Sequence, residues 1–405
     1  MQLPLGSGTI EVTLPDCSVE TAVPAGGESI DVRSAAERTV ADPHGPPLAD
    51  AVDASDDVAI VVTDVTRATP DDVLLDGLVD CLRDCGVGRE QVTVVLGLGL
   101  HRPMTDDEIQ SEFDENADLV ENHDPQSVVT VGQVDGVDIE INRTVAAADT
   151  VLATGMVEPH QYAGFSGGAK TVVIGAGGES QIGYTHGPDL LSQDGTRIGR
   201  IADNPFRDFL DRAGDLAGPD FCINVTHGPQ GFLGVEAGRP RAVVRALAST
   251  AREALAVDVD GGYDAVIAGI GAPKDANLYQ ASRAATYVAL GDHNPLHEGG
   301  RIVVPAVLPE GAGDGTGEQR FKRWLESAVD ADSLFETMRD GYEPGAQRAF
   351  VLARVLRSYD VWITNSQHPQ LVADCLMHAA DSPADAIDSS SRVLVVPDAI
   401  NTLLQ

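Results

Sequence analysis

Short apolar runs of β type alternate with segments of helical periodicity along this chain, and that alternation restricts the fold more than any other feature. Residues 58–63 form a buried-strand pattern ending in the polar turn Asp64-Val65-Thr66-Arg67. Thr69, Pro70, Asp71 and Asp72 then read as an N-cap, a proline at the first helical position and acids in the first turn. Leu74, Leu75, Leu78, Cys81, Leu82 and Cys85 follow at helical spacing, and Gly86 supplies the stop. Residues 91–97 are the next strand, running into Gly99-Leu100-His101-Arg102-Pro103-Met104-Thr105 and an acidic helix start. This is the grammar of an α/β domain with a mainly parallel sheet, whose ligands sit at the carboxyl ends of strands. Asp64, Arg67 and His101 fall at such ends.

The same reading extends to the C-terminus. Residues 127–131 and 137–141 flank turn residues and are expected to pair as a hairpin, and 151–155 is a strand followed by a long glycine-rich loop. A second α/β grammar starts near Tyr263: strand 265–270, helix 278–290, strand 301–307, a glycine-rich loop at 309–317, helices at 318–329 and 346–358, and strands at 360–364 and 392–396. The expectation is two α/β domains with mainly parallel sheets and an active-site cleft between them. Residues 1–258 would form the cofactor-binding and catalytic domain and 259–390 the C-terminal domain. For the terminal strand in 391–405, a return to the first domain is left open. A chain of 405 residues suits two domains.

Charge narrows the function. Lys and Arg total 27 against 63 Asp and Glu, a formal charge of −36. Such a surface repels nucleic acid and anionic membranes, so neither is expected as a partner. Only Lys170, Lys274 and Lys322 are lysines. An acidic, lysine-poor surface is expected of a protein adapted to a high-salt cytoplasm, and the lysines that remain are candidates for specific tasks. No apolar run approaches the roughly 18 residues of a membrane span, and the N-terminus lacks the basic-then-apolar pattern of a secretory signal, so a cytoplasmic location is expected. Five scattered cysteines suit a reduced protein, with Cys81 and Cys85 as small core residues.

The densest segment runs from Gly155 through Glu158-Pro159-His160 and Gly164-Phe165-Ser166-Gly167-Gly168-Ala169-Lys170-Thr171 to Gly178. Glycines let a backbone approach a ligand and turn its N–H groups toward an anion. Residues 164–171 match a phosphate-loop pattern except at Ala169, where glycine is required, and they begin some eight residues after the preceding strand. A nucleotide triphosphatase is therefore one alternative. Ten histidines are present, and His101, His160 and His186 fall in strand-end or glycine-loop positions. There is no H-E-x-x-H and no paired cysteine ligand set, so a hydrolytic zinc site has little support.

Asp64-x-Thr66-Arg67, Gly99-x-His101-Arg102-x-Met104, Glu158-x-His160, the string from Gly164 to Lys170, His186, Pro273-Lys274-Asp275 and Tyr279-Gln280 occur in this order. Together they resemble the lactate racemase family, with the chain a haloarchaeal-like member of it. The resemblance implies a racemase or epimerase of 2-hydroxy acids, an isomerase, with lactate the first candidate substrate. It implies a nickel-pincer nucleotide (pyridinium-3-thioamide-5-thiocarboxylic acid mononucleotide nickel) held covalently on Lys170, with Ser166, Gly167 and Gly168 beside it and His186 as the protein ligand of nickel. His101 and His160 would be the two acid/base groups. Asp64, Arg67, Tyr279, Gln280 and Arg283 would bind the substrate. Enzymes of cofactor biosynthesis and nickel insertion would be partners.

The chemistry explains why such parts are needed. Because the adjacent carboxylate stabilises a carbanion poorly, the Cα hydrogen of a 2-hydroxy acid is more readily removed as hydride, by an electrophile that accepts it while a base takes the hydroxyl proton. The planar keto acid then accepts hydride on either face, so a base is needed for each enantiomer, and histidine titrates in the right range. Arg67 and Arg283 could clamp the carboxylate. Arg283 stands where the family's lactate enzyme is expected to carry lysine, which opens the alternative of a larger or dicarboxylic 2-hydroxy acid. A non-catalytic nickel or nucleotide carrier is a further alternative. Lys274, His227 and His368 carry no assigned role, and Asn365 and Gln367 have only a weak claim to line a pocket.

Overall fold

Two six-stranded sheets organise the computed structural model, which describes residues 1–65 and 67–405. In chain order their first strands are β1 (Ser18–Thr21), β2 (Val58–Val62), β3 (Val92–Leu96), β4 (Val120–Asn122), β5 (Thr150–Met156), β6 (Phe221–Gly228) and β7 (Gly231–Gly238). The others are β8 (Tyr263–Ala268), β9 (Leu296–Pro305), β10 (Asp360–Thr364), β11 (His378–Ala380) and β12 (Arg392–Val396). Three helices matter below: α1 (Asp71–Asp84), α2 (Pro205–Ala217) and α3 (Leu278–Ala289).

The first unit comprises residues 26–185 and 201–254. Its sheet runs β7-β6-β5-β2-β3-β4, parallel throughout except for the β6–β7 hairpin. Every residue of β2 and β5 is buried, as expected of central parallel strands covered on both faces. Each fully buried Val, Ile or Leu there contributes roughly 1.5–3 kcal/mol. Leu74, Leu75, Leu78 and Leu82 of α1 pack onto the same core. The chain adds β3 and β4 on one side of β2, then crosses to place β5 on the other. That reversal is a switch point, where open α/β sheets bind ligands at the carboxyl ends of the strands.

The start of α1 differs from the expected cap. Pro70, not Thr69, occupies the cap position with no side-chain hydrogen bond, and the Thr69 hydroxyl is buried without a partner. Asp71 turns inward instead and accepts from Thr63 Oγ1 at 2.5 Å and from the Thr154 hydroxyl, joining β2, β5 and α1. Burial pushes its carboxyl up to about 7 despite those donors. The hairpin forms as Val128–Val134 and Val137–Asn142.

The second unit comprises residues 1–25, 186–200 and 255–405. Its sheet is parallel throughout in the order β11-β10-β9-β8-β12-β1. Here the structure departs from the expected boundaries. The terminal strand β12 does not return to the first unit; it lies between β8 and β1, and the N-terminal residues 1–25 join this unit instead. The physical reason is that β12 offers hydrogen-bonding edges to both neighbours, with Ser18–Thr21 completing its outer side. Among the described residues, no helix is long and apolar enough to cross a membrane.

Candidate active site

The switch point of the first unit gathers most of the expected residues. Beyond β2 lie Asp64 and Arg67, beyond β3 lies His101, beyond β5 lie Glu158 and His160, and β6 ends in His227 and Gly228. Strand pairing sets these neighbours. Val225 of β6 lies beside Met156 of β5, and Val157 N–H donates to the Val225 carbonyl at 2.8 Å. Glu158 and His227 therefore emerge side by side although 69 positions separate them.

Exposed His101 sits over buried Asp64, its Nδ1 at 2.6 Å from Asp64 Oδ2. A carboxylate can only accept, so Nδ1 carries the hydrogen and Nε2 presents a lone pair. Asp64 is thus beneath the histidine, orienting it. His160 is arranged the other way. Its Nδ1 accepts from the backbone N–H groups of Ala163 at 3.1 Å and Tyr162 at 3.3 Å, so the neutral ring carries its hydrogen on Nε2.

Glu158 is the hub of the charged groups. Its Oε1 accepts from Arg67 Nη1 at 2.7 Å, its Oε2 lies 3.4 Å from His227 Nε2, and its backbone N–H donates to Ser166 Oγ at 3.0 Å. Burial opposes ionisation of this carboxyl, but His227, Arg67 and Lys170 outweigh it and hold the group below its ordinary range. The hydrogen bond to Glu158 raises His227 in turn, against the effect of its burial.

The glycine-rich segment is clamped, not a loose connector. Ser166 Oγ donates to the Met156 carbonyl at 2.6 Å, and Asn224 Oδ1 accepts from Gly168 N–H at 2.8 Å. Buried Arg207 of α2 donates to the carbonyls of Ala163 and Phe165, and Asn204 Nδ2 donates to the Tyr162 carbonyl at 2.8 Å. Gly167 and Gly168 have φ of +78° and +62°, and a Cβ on either would lie 2.6 Å from a valine methyl. Gly164–Phe165 pairs with Pro159–His160, and Lys170 leads into one wide turn, Thr171–Gly175. A phosphate loop passes directly from strand to a full helix, so this segment is built differently.

Lys170 makes no hydrogen bond or ion pair among the described residues. Burial, followed by repulsion from Arg67 and Arg207, lowers its amine to about 7 against the pull of Glu158 and Asp64. About half of such an amine is neutral at pH 7, the state in which it is a nucleophile.

The other expected residues lie in the second unit. His186 precedes the short helix Pro188–Leu191, and its carbonyl accepts from the Tyr342 hydroxyl. Tyr279, Gln280 and Arg283 occupy the first two turns of α3, capped by Asn277. Arg283 Nη1 reaches Gln280 Oε1 at 3.4 Å and Nη2 reaches the Tyr287 hydroxyl at 3.4 Å. Lys274 lies in the turn before α3, and His368 stands at the N-terminus of the helix Pro369–Asp374. Thr66 lies outside the described residues. No group of three or more His, Cys, Asp or Glu side chains that could hold a metal occurs among the described residues.

Residue-by-residue reading assigned no role to Glu158, His227, Asn224 or Arg207. Glu158 stands in the Glu-Pro-His string, and His227 follows a strand; those were the signals available.

Known proteins with related sequences and structures bear on this arrangement. The Lactate racemase N-terminal domain family matches residues 5–199 and the Lactate racemase C-terminal domain family matches residues 261–403. The lactate racemase of Thermoanaerobacterium thermosaccharolyticum is 26% identical over 432 aligned positions, covering 100% of this chain and 99% of the relative. That of Lactiplantibacillus plantarum is 26% identical over 379 positions, covering 86% and 85%. In structure, the chain is similar to the lactate racemase apoprotein from Thermoanaerobacterium thermosaccharolyticum, with a TM-score of 0.86 at 24% identity over 100% of this chain and 99% of that one. A Thermotoga maritima protein shares the fold with a TM-score of 0.63 at 17% identity over 92% and 97%. With both of its domain families matched in order along the sequence, the chain belongs to the lactate racemase family, a family of isomerases.

Proposed function

We propose that this protein racemises or epimerises 2-hydroxy acids, lactate first among them, with a nickel-pincer nucleotide attached to Lys170. The observation that carries the reading is the pairing of His101 with buried Asp64 beyond the strand ends of the unit that also holds the buried Lys170 amine.

The chain's residues suit such a group. An amine lowered to about 7 is partly neutral at physiological pH, so Lys170 could attack an activated acyl or thioacyl group, whose leaving group would depart, without a separate base. His186 would add one imidazole to a metal whose other donors come from the organic group. When bound, the group would supply an electrophile able to accept the Cα hydrogen as hydride.

The remaining work falls to side chains. His101 Nε2 takes the proton of the substrate hydroxyl, and Asp64 stabilises the imidazolium that results, as an aspartate does beside a catalytic histidine elsewhere. Arg67 gives Nη1 to Glu158 and offers its remaining N–H groups to the substrate carboxylate. His160 begins as a donor at Nε2. Full transfer of its proton requires protonation at Nδ1 first, which releases the amides of Tyr162 and Ala163. Tyr279, Gln280 and Arg283 complete the substrate contacts, with Arg283 setting the preferred acid. Nickel insertion and cofactor synthesis by partner enzymes precede activity, and the acidic surface suits a high-salt cytoplasm.

The test is chiral analysis of a panel of 2-hydroxy acids in concentrated salt, using protein co-produced with cofactor-synthesis enzymes. The expected result is inversion of at least one acid, with nickel present and extra mass on the Lys170 peptide. A loaded protein that inverts none of them overturns the reading.

A further inference from the structure

The four charged groups around Lys170 are not independent. Two carboxylates act on its amine, Glu158 and Asp64, and two guanidiniums, Arg67 and Arg207. Arg207 is itself paired with Asp211 at 3.6 Å on α2, so its charge is partly answered. Asp64 is engaged by His101 Nδ1 at 2.6 Å. Glu158 is engaged twice, by Arg67 Nη1 at 2.7 Å on one oxygen and by His227 Nε2 at 3.4 Å on the other. Both carboxylates whose charge acts on the lysine are thereby engaged by other donors.

We propose that His227 is a positioning residue for Lys170: by occupying Glu158 Oε2, opposite Arg67, it keeps that carboxylate from pairing with the amine, which stays available as a nucleophile. The inference rests on the proposed function for its purpose, attachment at Lys170, but the amine chemistry tested belongs to the protein alone. A lysine ion-paired with a carboxylate holds its proton and does not attack carbonyl carbon; an unpaired buried one loses it near neutrality. The position of His227 follows from the β6 strand, whose pairing with β7 shifts register between Thr226 and His227 and re-aims the residue.

The experiment uses the full chain without cofactor, acetylated briefly with sulfo-N-hydroxysuccinimidyl acetate over a range of pH and read by peptide mass spectrometry. The Lys170 nitrogen attacks the ester carbonyl, the sulfo-N-hydroxysuccinimide departs with the C–O electron pair, and the amine proton goes to water. Lys322, in the second unit beside Glu326, is the internal reference. In the unaltered chain, half-maximal reactivity of Lys170 is expected near pH 7.

His227→Ala should raise that midpoint by about one unit, making acetylation at pH 6 roughly tenfold slower. Glu158→Gln should lower it, and adding His227→Ala to Glu158→Gln should change nothing further, because the histidine acts through the carboxylate. If His227→Ala fails to fold, His227→Gln, which keeps a donor without the charge, should shift the midpoint in the same direction by less. An unmoved midpoint in the folded single variant overturns the proposal, as does a shift that persists in the Glu158→Gln background. Neither result touches covalent attachment itself, which is judged separately by the mass of the Lys170 peptide in loaded protein.

Discussion

Both units wind a parallel sheet from a central strand outward and then reverse, yet the two reversals are finished differently. In the first unit the ends of β2, β3, β5 and β6 carry Asp64, Arg67, His101, Glu158, His160 and His227. In the second, the ends of β8 and β12 are filled by backbone. Gly269 packs so tightly that a Cβ would lie 2.2 Å from the Pro397 carbonyl oxygen, and Gly271 would meet Pro4 at 2.9 Å. Gly6 N–H closes the gap by donating to buried Asp275 at 2.6 Å. One winding thus supports two outcomes, and what separates them is the residues placed after the strands, not the order of the strands.

Under the proposed function, reaction chemistry would belong to the first unit and substrate discrimination to the second, and that division can be broken by substitution. The largest effect is expected from Lys170→Ala, which should abolish the extra mass on the protein and racemisation together; retained turnover would detach the chemistry from this lysine. Asp64→Asn should lower turnover by about 10²- to 10⁴-fold in loaded enzyme, because His101 loses the carboxylate that fixes its hydrogen on Nδ1 and steadies its charge. Retention of the extra mass would show that the loss lies in the proton step.

A smaller effect concerns stability. Asp71 has a folded carboxyl raised to about 7 from an unfolded value near 4, so its protonated form fits the fold best. The stability it contributes is fully present below about pH 4 and is lost as pH rises toward 7. Asp71→Asn should remove that segment of the pH dependence in thermal unfolding. A variant that tracks the parent over the whole range would place the strain elsewhere. Smallest of all, Arg283→Lys in the second unit should change the ratio of activities toward lactate and a larger 2-hydroxy acid by a fewfold, mainly through KM. A comparable fall in kcat for both acids would erase the division between units.

Much of this architecture is legible in the sequence because buried parallel strands are apolar on both faces. Residues 58–62, 92–96, 360–364 and 392–396 announce themselves in that way, and the glycine string and its lysine mark the loop. The edge strand Ser18–Thr21 does not. All four of its residues are exposed, and only its partner reveals that it is a strand. The division of residues 1–25 and 186–200 from the chain around them is equally silent, since it depends on which sheet each segment reaches. His227 and Glu158 acquire meaning only because β5 and β6 lie side by side, a pairing without any local pattern. Thr69 misleads for the opposite reason: it fits a cap locally, but Asp71 has better partners across the sheet.

The pairing of Ser18 with Arg392 also bears on how the chain is made. On a ribosome residues 18–21 emerge long before the segment that completes their sheet, whereas residues 26–254 bring the whole of the first unit out together. Vectorial synthesis therefore favours early folding of the unit that holds the lysine, while the leading segment waits, unpaired, for the final strand of the other.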